Sequence, residues 1–201
     1  MRPLTADLFV TLDGFARGEG AGPFFGYAGP ELDRWIRDRL DEPQLIVMGR
    51  VTYEALAGMP ATATDEGSAR MNELPKVVFS NSLREPLAWA NTRLMPGDLS
   101  EGIRRLKQQP GDPLRSIGSI SLVKSMISLG LVDRLRLMVF PLILGRSGRE
   151  PAYAGYPDTA LDLVASTVLD SRLTLLEYRP PAPRASEPSG PPASHPNPTA
   201  D

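Results

Sequence analysis

The sequence contains no cysteine and a single histidine, His195. The first absence excludes disulfides and thiolate metal sites. The second excludes a Ser-His-Asp triad or a histidine-based zinc site from the body of the chain, because His195 lies in a Pro-rich tail. Any proton transfer falls to a carboxylate, Lys, Tyr, water or the substrate itself. Charge of one sign is also lacking: 22 basic and 24 acidic residues leave a formal net charge of −2, which gives no pull on polyanions and makes nucleic acid an unlikely partner. No apolar run exceeds about five residues where a membrane span needs roughly 20. Met1 to Asp7 shows neither the basic start nor the apolar run of a signal peptide, so a cytoplasmic protein without a membrane partner is the expectation.

What is present fits one globular domain. The chain has 201 residues, 41% hydrophobic and 23% charged. Residues 1–179 read as the domain. Residues 180–201 hold eight prolines with Ser, Ala and Gly and little apolar bulk, so they read as a disordered tail.

Within the domain, apolar periodicity alternates between strand and helix. Leu4 to Leu12 reads as a first strand with Leu8, Val10 and Leu12 on one face. A glycine-rich loop from Gly18 to Gly26 follows; as a mobile lid it would offer Phe24, Phe25 and Tyr27 as an apolar wall. Pro30 opens a helix over Glu31 to Asp41. Gln44 to Met48 reads as a strand covered on both faces, followed by a short helix, Thr52 to Ala57. Lys76 to Phe79 is another buried strand, and Leu99 to Gln108 an amphipathic helix. Arg115 to Ile117 is a strand, and Ser119 to Leu129 a helix ended by Gly130. Leu135, Leu137 and Val139 alternate as in a half-buried strand. Leu161 to Leu169 and Leu173 to Tyr178 alternate similarly, as half-buried strands, and read as a hairpin turning at Asp170-Ser171. The fold class is therefore α/β: a mixed, mainly parallel central sheet with flanking helices and a C-terminal antiparallel hairpin.

Open α/β sheets bind ligands beyond the carboxyl ends of their parallel strands. Four such ends carry small or polar residues: Asp13-Gly14, Gly49-Arg50, Ser80-Asn81 and Gly118-Ser119. Gly49-Arg50-Val51-Thr52 is the sharpest. Gly49 permits a close turn, Arg50 offers a planar fork for phosphate, and Thr52 sits at the helix start, where free N–H groups favour an anion. The bland alternatives stay open: Thr52 as a plain helix cap, Arg50 as a surface charge, Ser80 and Asn81 as turn residues, and Ser119 as a cap.

Several segments carry a wider resemblance: Thr11-Leu12-Asp13-Gly14-Phe15, Met48-Gly49-Arg50-Val51-Thr52-Tyr53-Glu54, Val78-Phe79-Ser80-Asn81-Ser82-Leu83, Ile117-Gly118-Ser119, Leu129-Gly130-Leu131-Val132-Asp133-Arg134-Leu135 and Pro141-Leu142-Ile143-Leu144-Gly145. In that order they resemble the reductase (C-terminal) domain of the bacterial bifunctional deaminase-reductase of riboflavin synthesis, over residues 4–179. The resemblance implies the dihydrofolate reductase fold, NADPH as cofactor, a small-molecule substrate, hydride transfer to a C=N or C=O, and a homodimer. By it, Gly49, Arg50 and Thr52 hold cofactor phosphates, and Ser80 and Asn81 lie near the adenosine ribose and its 2′-phosphate. Gly118, Ser119, Ile120 and Ser121 approach the pyrophosphate and nicotinamide ribose, and Asp13 faces the substrate side as the catalytic candidate. Ile120 stands where the family often has a second glycine. Glu31 and Asp33 fall where the dihydrofolate reductase acid would lie. No metal is implied. A non-catalytic nucleotide-binding homodimer of the same fold is the alternative.

Overall fold

The computed structural model describes residues 1–58 and 66–181. Nearly all of the segment read as a tail lies outside them. The chain begins with β1 (Leu4–Thr11), β2 (Phe15–Gly18), a short turn at Pro23–Gly26, and α1 (Pro30–Asp41). It continues with β3 (Leu45–Gly49), α2 (Arg50–Ala57), α3 (Glu66–Glu73), β4 (Lys76–Phe79), β5 (Thr92–Met95) and α4 (Leu99–Gln108). The last third supplies β6 (Leu114–Ile117), α5 (Ile120–Ser128), β7 (Arg134–Phe140), β8 (Gly148–Pro151), β9 (Asp162–Leu169) and β10 (Leu173–Arg179).

Eight strands form one sheet in the order β5-β4-β3-β6-β1-β7-β10-β9. β5 through β7 run parallel, while β10 is antiparallel to both β7 and β9. Helices cover both faces because the strands are apolar on both. On one side Leu4, Ala6, Leu8 and Val10 of β1 pack with Leu45 and Val47 against Ile103 and Leu106 of α4 and Val123 and Met126 of α5. On the other, Ile46, Met48 and Val78 meet α1 and α2, and Met138 and Phe140 meet Leu32. Each fully buried side chain of this size stabilises by about 1.5–3 kcal/mol.

Four sequence expectations need correction. Leu12 does not continue the inward face of β1; it lies beyond the strand end and is exposed. β7 is not half-buried. Leu32 of α1 and the Phe25 and Tyr27 rings cover its second face, so Met138 and Phe140 are more deeply buried than Val139. β9 is exposed over Asp162–Val168 because it is the sheet edge. Finally, the loop after β1 contains β2, which pairs with β8 as a separate ribbon that periodicity over four residues does not reveal.

The Asp170-Ser171 turn is tight, with φ of 51° and 56°, closed by the Arg172 N–H donating to the Leu169 carbonyl at 3.1 Å. It also serves a distant element. Asp170 accepts from the Glu31 and Leu32 N–H groups at 3.0 Å each, and the Asp170 N–H donates to the Glu31 carboxylate. The N-terminus of α1, which has no side-chain cap at Gly29, is thus capped across 139 residues of sequence.

Lys76 is the largest fully buried side chain, 1% exposed. Its ammonium donates to the carbonyls of Met71 (2.8 Å), Asn72 (3.2 Å) and Leu74 (2.6 Å), closing the C-terminal end of α3, and it lies 4.8 Å from the Trp89 ring. Burial pulls its pKa down to about 8, while burial raises the Tyr156 hydroxyl to about 12. Between pH 8 and 10 the unfolded chain holds a Lys76 proton that the folded chain releases, so stability rises with pH in that window. Above pH 10 Tyr156 acts with the opposite sign, since its tyrosinate is favoured only in the unfolded chain. Urea midpoints should therefore climb from pH 8 to 10, and Lys76→Met should remove the climb. A midpoint that falls over this range in the unmodified protein would refute the assignment.

Candidate functional site

The parallel strands end on one side of the sheet, and a cleft of about 1020 Å³ opens there. It is lined by the ends of β1, β3, β4 and β6 and by the starts of α2 and α5. β3 and β6 are neighbours, so the turns that follow them meet. Ser119 joins the two. Its Oγ accepts from the Gly49 N–H at 2.8 Å and hydrogen-bonds the Thr52 hydroxyl at 2.6 Å. Gly49 has an ordinary φ of −90°, so its reason for being glycine is proximity: a Cβ there would sit 3.0 Å from Ser119 Oγ.

Gly118 and Ser119 are both left-handed, with φ of 72° and 61°. Together they turn the chain sharply from β6 into α5, whose start lines the cleft. Ile120 follows as the first residue of α5, so the unusual backbone is carried before it and its β-branch sits in a helical position. Neither α2 nor α5 has a side-chain cap at its N-terminus. Two helix starts with free N–H groups thus open on the same cleft, held in register by one hydroxyl. Thr52 is the third residue of α2, with its hydroxyl committed to Ser119, and is not the helix start the sequence suggested.

Gly49, Arg50, Thr52, Ser80, Asn81, Gly118, Ser119, Ile120 and Ser121 all line this one cleft. Their side chains differ in what they have free to offer. Arg50 lies at the rim, half exposed, paired with Glu54 at 2.8 Å. Ser80 Oγ accepts from the N–H groups of Ser82 (3.2 Å) and Leu83 (3.1 Å), and Asn81 Oδ1 accepts from the Gly97 N–H at 2.6 Å. Ser80 shapes the loop after β4, Asn81 ties that loop to the one after β5, and both line the cleft.

Asp13 is placed differently. It is exposed and does not line the cleft. Its carboxylate accepts from the Gly145 N–H at 2.8 Å, the Leu144 N–H at 3.0 Å and the Thr11 hydroxyl at 2.7 Å. The Gly145 N–H first, then the Thr11 hydroxyl, hold its pKa below the usual carboxylate value. Its visible task is to pin the loop after β7 against the end of β1. Glu31 is occupied in capping α1, and Asp33 is exposed on that helix; neither lines the cleft. Of the three loop aromatics only Phe24 faces the cleft. Phe25 and Tyr27 turn to the core, 5.2 Å and 5.8 Å from the Phe140 ring.

The residues that sequence reasoning missed lie at the other end of the cleft. Asp7 of β1 is 4% exposed, and its Oδ2 accepts from Arg115 Nε at 2.6 Å. Arg115 also donates to the Arg39 carbonyl at 2.9 Å and lies 5.8 Å from the Trp35 ring. Phe9 stands at this end with Trp35, their rings 6.1 Å apart, and Ile36, Lys124 and Glu150 also line the cleft. A signal was present: a single acid in an otherwise apolar and hydroxyl-bearing β1, and a single arginine inside β6, are charges that must pair if both strands are central.

The family model described as the RibD C-terminal domain matches residues 2–175. The chain belongs to that family. It is 28% identical over 152 residues to YyaP, an uncharacterized protein of Bacillus subtilis (strain 168), across 72% of this chain and 77% of that one. Among solved structures it resembles a putative riboflavin biosynthesis protein from Shewanella sp. PV-4, with TM-score 0.67, 18% identity, and 90% of this chain and 99% of that chain covered. The deaminase/reductase of Thermotoga maritima gives TM-score 0.62 at 17% identity; the match covers 89% of this chain and 57% of that one. Dihydrofolate reductase from Enterococcus faecalis, solved with NADP(H), gives TM-score 0.59 at 15% identity, with 89% and 96% covered. The fold is dihydrofolate reductase-like, as the sequence led one to expect, and the family supports an oxidoreductase of the reductase type over a non-catalytic binding protein. Among the described residues no helix is long and apolar enough to cross a membrane, and no cluster of acids and histidines could hold a metal.

Proposed function

We propose that this RibD C-terminal domain is an NADPH-dependent reductase of a small heterocyclic or carbonyl compound. The observation that carries the reading is the Ser119 tie, which brings two uncapped helix starts and the left-handed Gly118-Ser119 turn to one cleft. That donor set suits a pyrophosphate, and the close approach at Gly49 leaves backbone rather than side chain at its surface. Gly49, Thr52, Gly118, Ser119, Ile120 and Ser121 would hold the pyrophosphate and nicotinamide ribose. Arg50, Ser80 and Asn81 would hold the adenosine end. When bound, NADPH supplies the hydride.

The chain's own contribution is position: the substrate rests at the Asp7–Arg115–Trp35 end, against the cofactor end of one continuous cleft. Asp13, Glu31 and Asp33 are engaged or exposed elsewhere; of the two acids that line the cleft among the described residues, Asp7 pairs with Arg115 at 2.6 Å and Glu150 with Arg17 at 3.4 Å. Water is therefore the proton source we assign. The same reading makes the protein a cytoplasmic homodimer joined through edge strand β9, whose Leu163, Val164 and Val168 are exposed; sedimentation equilibrium reads that directly.

Titrating NADPH while following Trp emission tests the cofactor, and NADPH oxidation across a pterin and pyrimidine panel tests the reaction. No binding at millimolar NADPH would sink the proposal. Arg50→Ala should weaken NADPH about tenfold or more and NADH little, because the guanidinium is the fixed cation at the adenosine end. Equal weakening of both would move Arg50 to the pyrophosphate.

A further inference from the structure

At the substrate end of the cleft the guanidinium is taken by a carboxylate, and the polar atom left without a hydrogen bond is an acceptor, Asp7 Oδ1. Asp7 and Arg115 form the floor of this end, bonded at 2.6 Å, both nearly inaccessible. Above them stand aromatic walls: the Phe9 ring lies 5.5 Å from Phe24 and 6.1 Å from Trp35. The chain accepts strain to place Phe24 there. Phe24 and Phe25 have φ of 52° and 53°, a left-handed pair without glycine, which sends one ring to the cleft and the next to Phe140.

We infer that this end selects an uncharged, flat ring compound and rejects phosphorylated substrates. The inference rests on the reductase reading of the cleft. A phosphate monoester carries close to two negative charges at neutral pH and is held by guanidinium forks or free N–H groups. Among the described residues the cleft is lined by three cations, Arg50, Arg115 and Lys124. Arg50 is at the cofactor end, where the reductase reading gives it to the cofactor. Arg115 is committed to Asp7 and lies over Trp35. Lys124, on the second turn of α5, is turned to the Ala154 carbonyl, to which it donates at 3.3 Å. A dianion set against Phe9, Phe24 and Trp35 would lose water and gain no new cation, an uncompensated desolvation. A neutral ring would stack on the same walls. The reductase name of the Thermotoga protein specifies a phosphoribosylamino uracil; the substrate end of this chain is built for a compound without that phosphate.

Matched probes test this with NADP+ present at saturation: 6-hydroxymethylpterin, uridine and riboflavin, each against its phosphate monoester, by equilibrium dialysis. At least one parent should bind tenfold or more tighter than its ester. Phe24→Ala should weaken that parent about tenfold and narrow the gap, with NADP+ affinity, read separately by Trp quenching, unchanged. Esters that bind as well as or better than their parents would overturn the inference, and loss of that binding in Lys124→Met would identify the cation overlooked. Failure of all three parents to bind would overturn it too. Failure of NADP+ itself would instead strike the reductase reading, and dialysis without cofactor would still report the preference for or against phosphate.

Discussion

Asp7→Leu should destabilise the protein by about 3–5 kcal/mol, the cost of stranding a buried charge, and the double variant Asp7→Leu/Arg115→Met should recover most of that loss. Asp7 and Arg115 sit on adjacent central strands, both on the α1 face of the sheet. Removing the carboxylate alone leaves the guanidinium held by the Arg39 carbonyl, with Gln44 at 3.4 Å, and without a counter-ion. Arg136 compounds this, since it stands 3.8 Å from the same carboxylate and keeps only Glu177, at 3.5 Å. In a chain of this size the loss corresponds to roughly 6–20 °C in Tm. Removing both charges clears the β1–β6 pair itself, while Arg136, directly across from Asp7 on β7, still loses that partner and keeps Glu177, so the recovery is large and not complete. Urea denaturation of the two variants decides it. A single variant as stable as the parent, or a double variant no better than the single, would show that the pair is not a closed unit. The same pair forms the floor of the proposed substrate end, so its neutrality bears on specificity as well as on stability.

Ser119→Ala should lower NADPH affinity on the order of tenfold to a hundredfold, because a hydrogen-bonded hydroxyl of this kind is worth about 1–3 kcal/mol when its partners are left unpaired. The hydroxyl joins the turn after β3 to the turn after β6, and without it the Gly49 N–H and the Thr52 hydroxyl lose their common partner. Ser119 also has φ of 61°, so part of any effect could come from backbone strain. Ser119→Gly separates the two causes. It removes the hydroxyl while favouring the left-handed backbone. Equal loss in both variants assigns the effect to the hydroxyl, whereas retained affinity in Ser119→Gly would assign it to the backbone. Full affinity in both would remove the Ser119 tie from the cofactor site.

The strong local patterns were legible. Leu45 to Met48 is apolar at every position, and the structure buries it on both faces. The polar strand ends at Gly49, Ser80 and Gly118 lie on one cleft because parallel strands share a direction. The illegible parts depended on neighbours far away in sequence. Val139 and Phe140 differ in burial because α1 and the Phe25 and Tyr27 rings cover one face of β7, and nothing within Arg134–Phe140 specifies that. Asp13 was a reasonable acid from its place after β1, yet its three donors, two of them about 130 residues away, turn it to a loop.

By itself the sequence determined the absence of thiol and imidazole chemistry from the domain, the α/β class, and the strand-end turns that gather at the cleft. These follow from residue type and short-range period, which act over a few positions of chain. Only the tertiary structure decided that Glu31 caps a helix with Asp170, that Asp7 answers Arg115, that Phe24 alone of three aromatics faces the cleft, and that Gly49 is glycine because Ser119 Oγ stands against it. Each of those is a contact between segments brought together by folding. A carboxylate in a sequence has no assigned task until the cation or N–H groups around it are fixed.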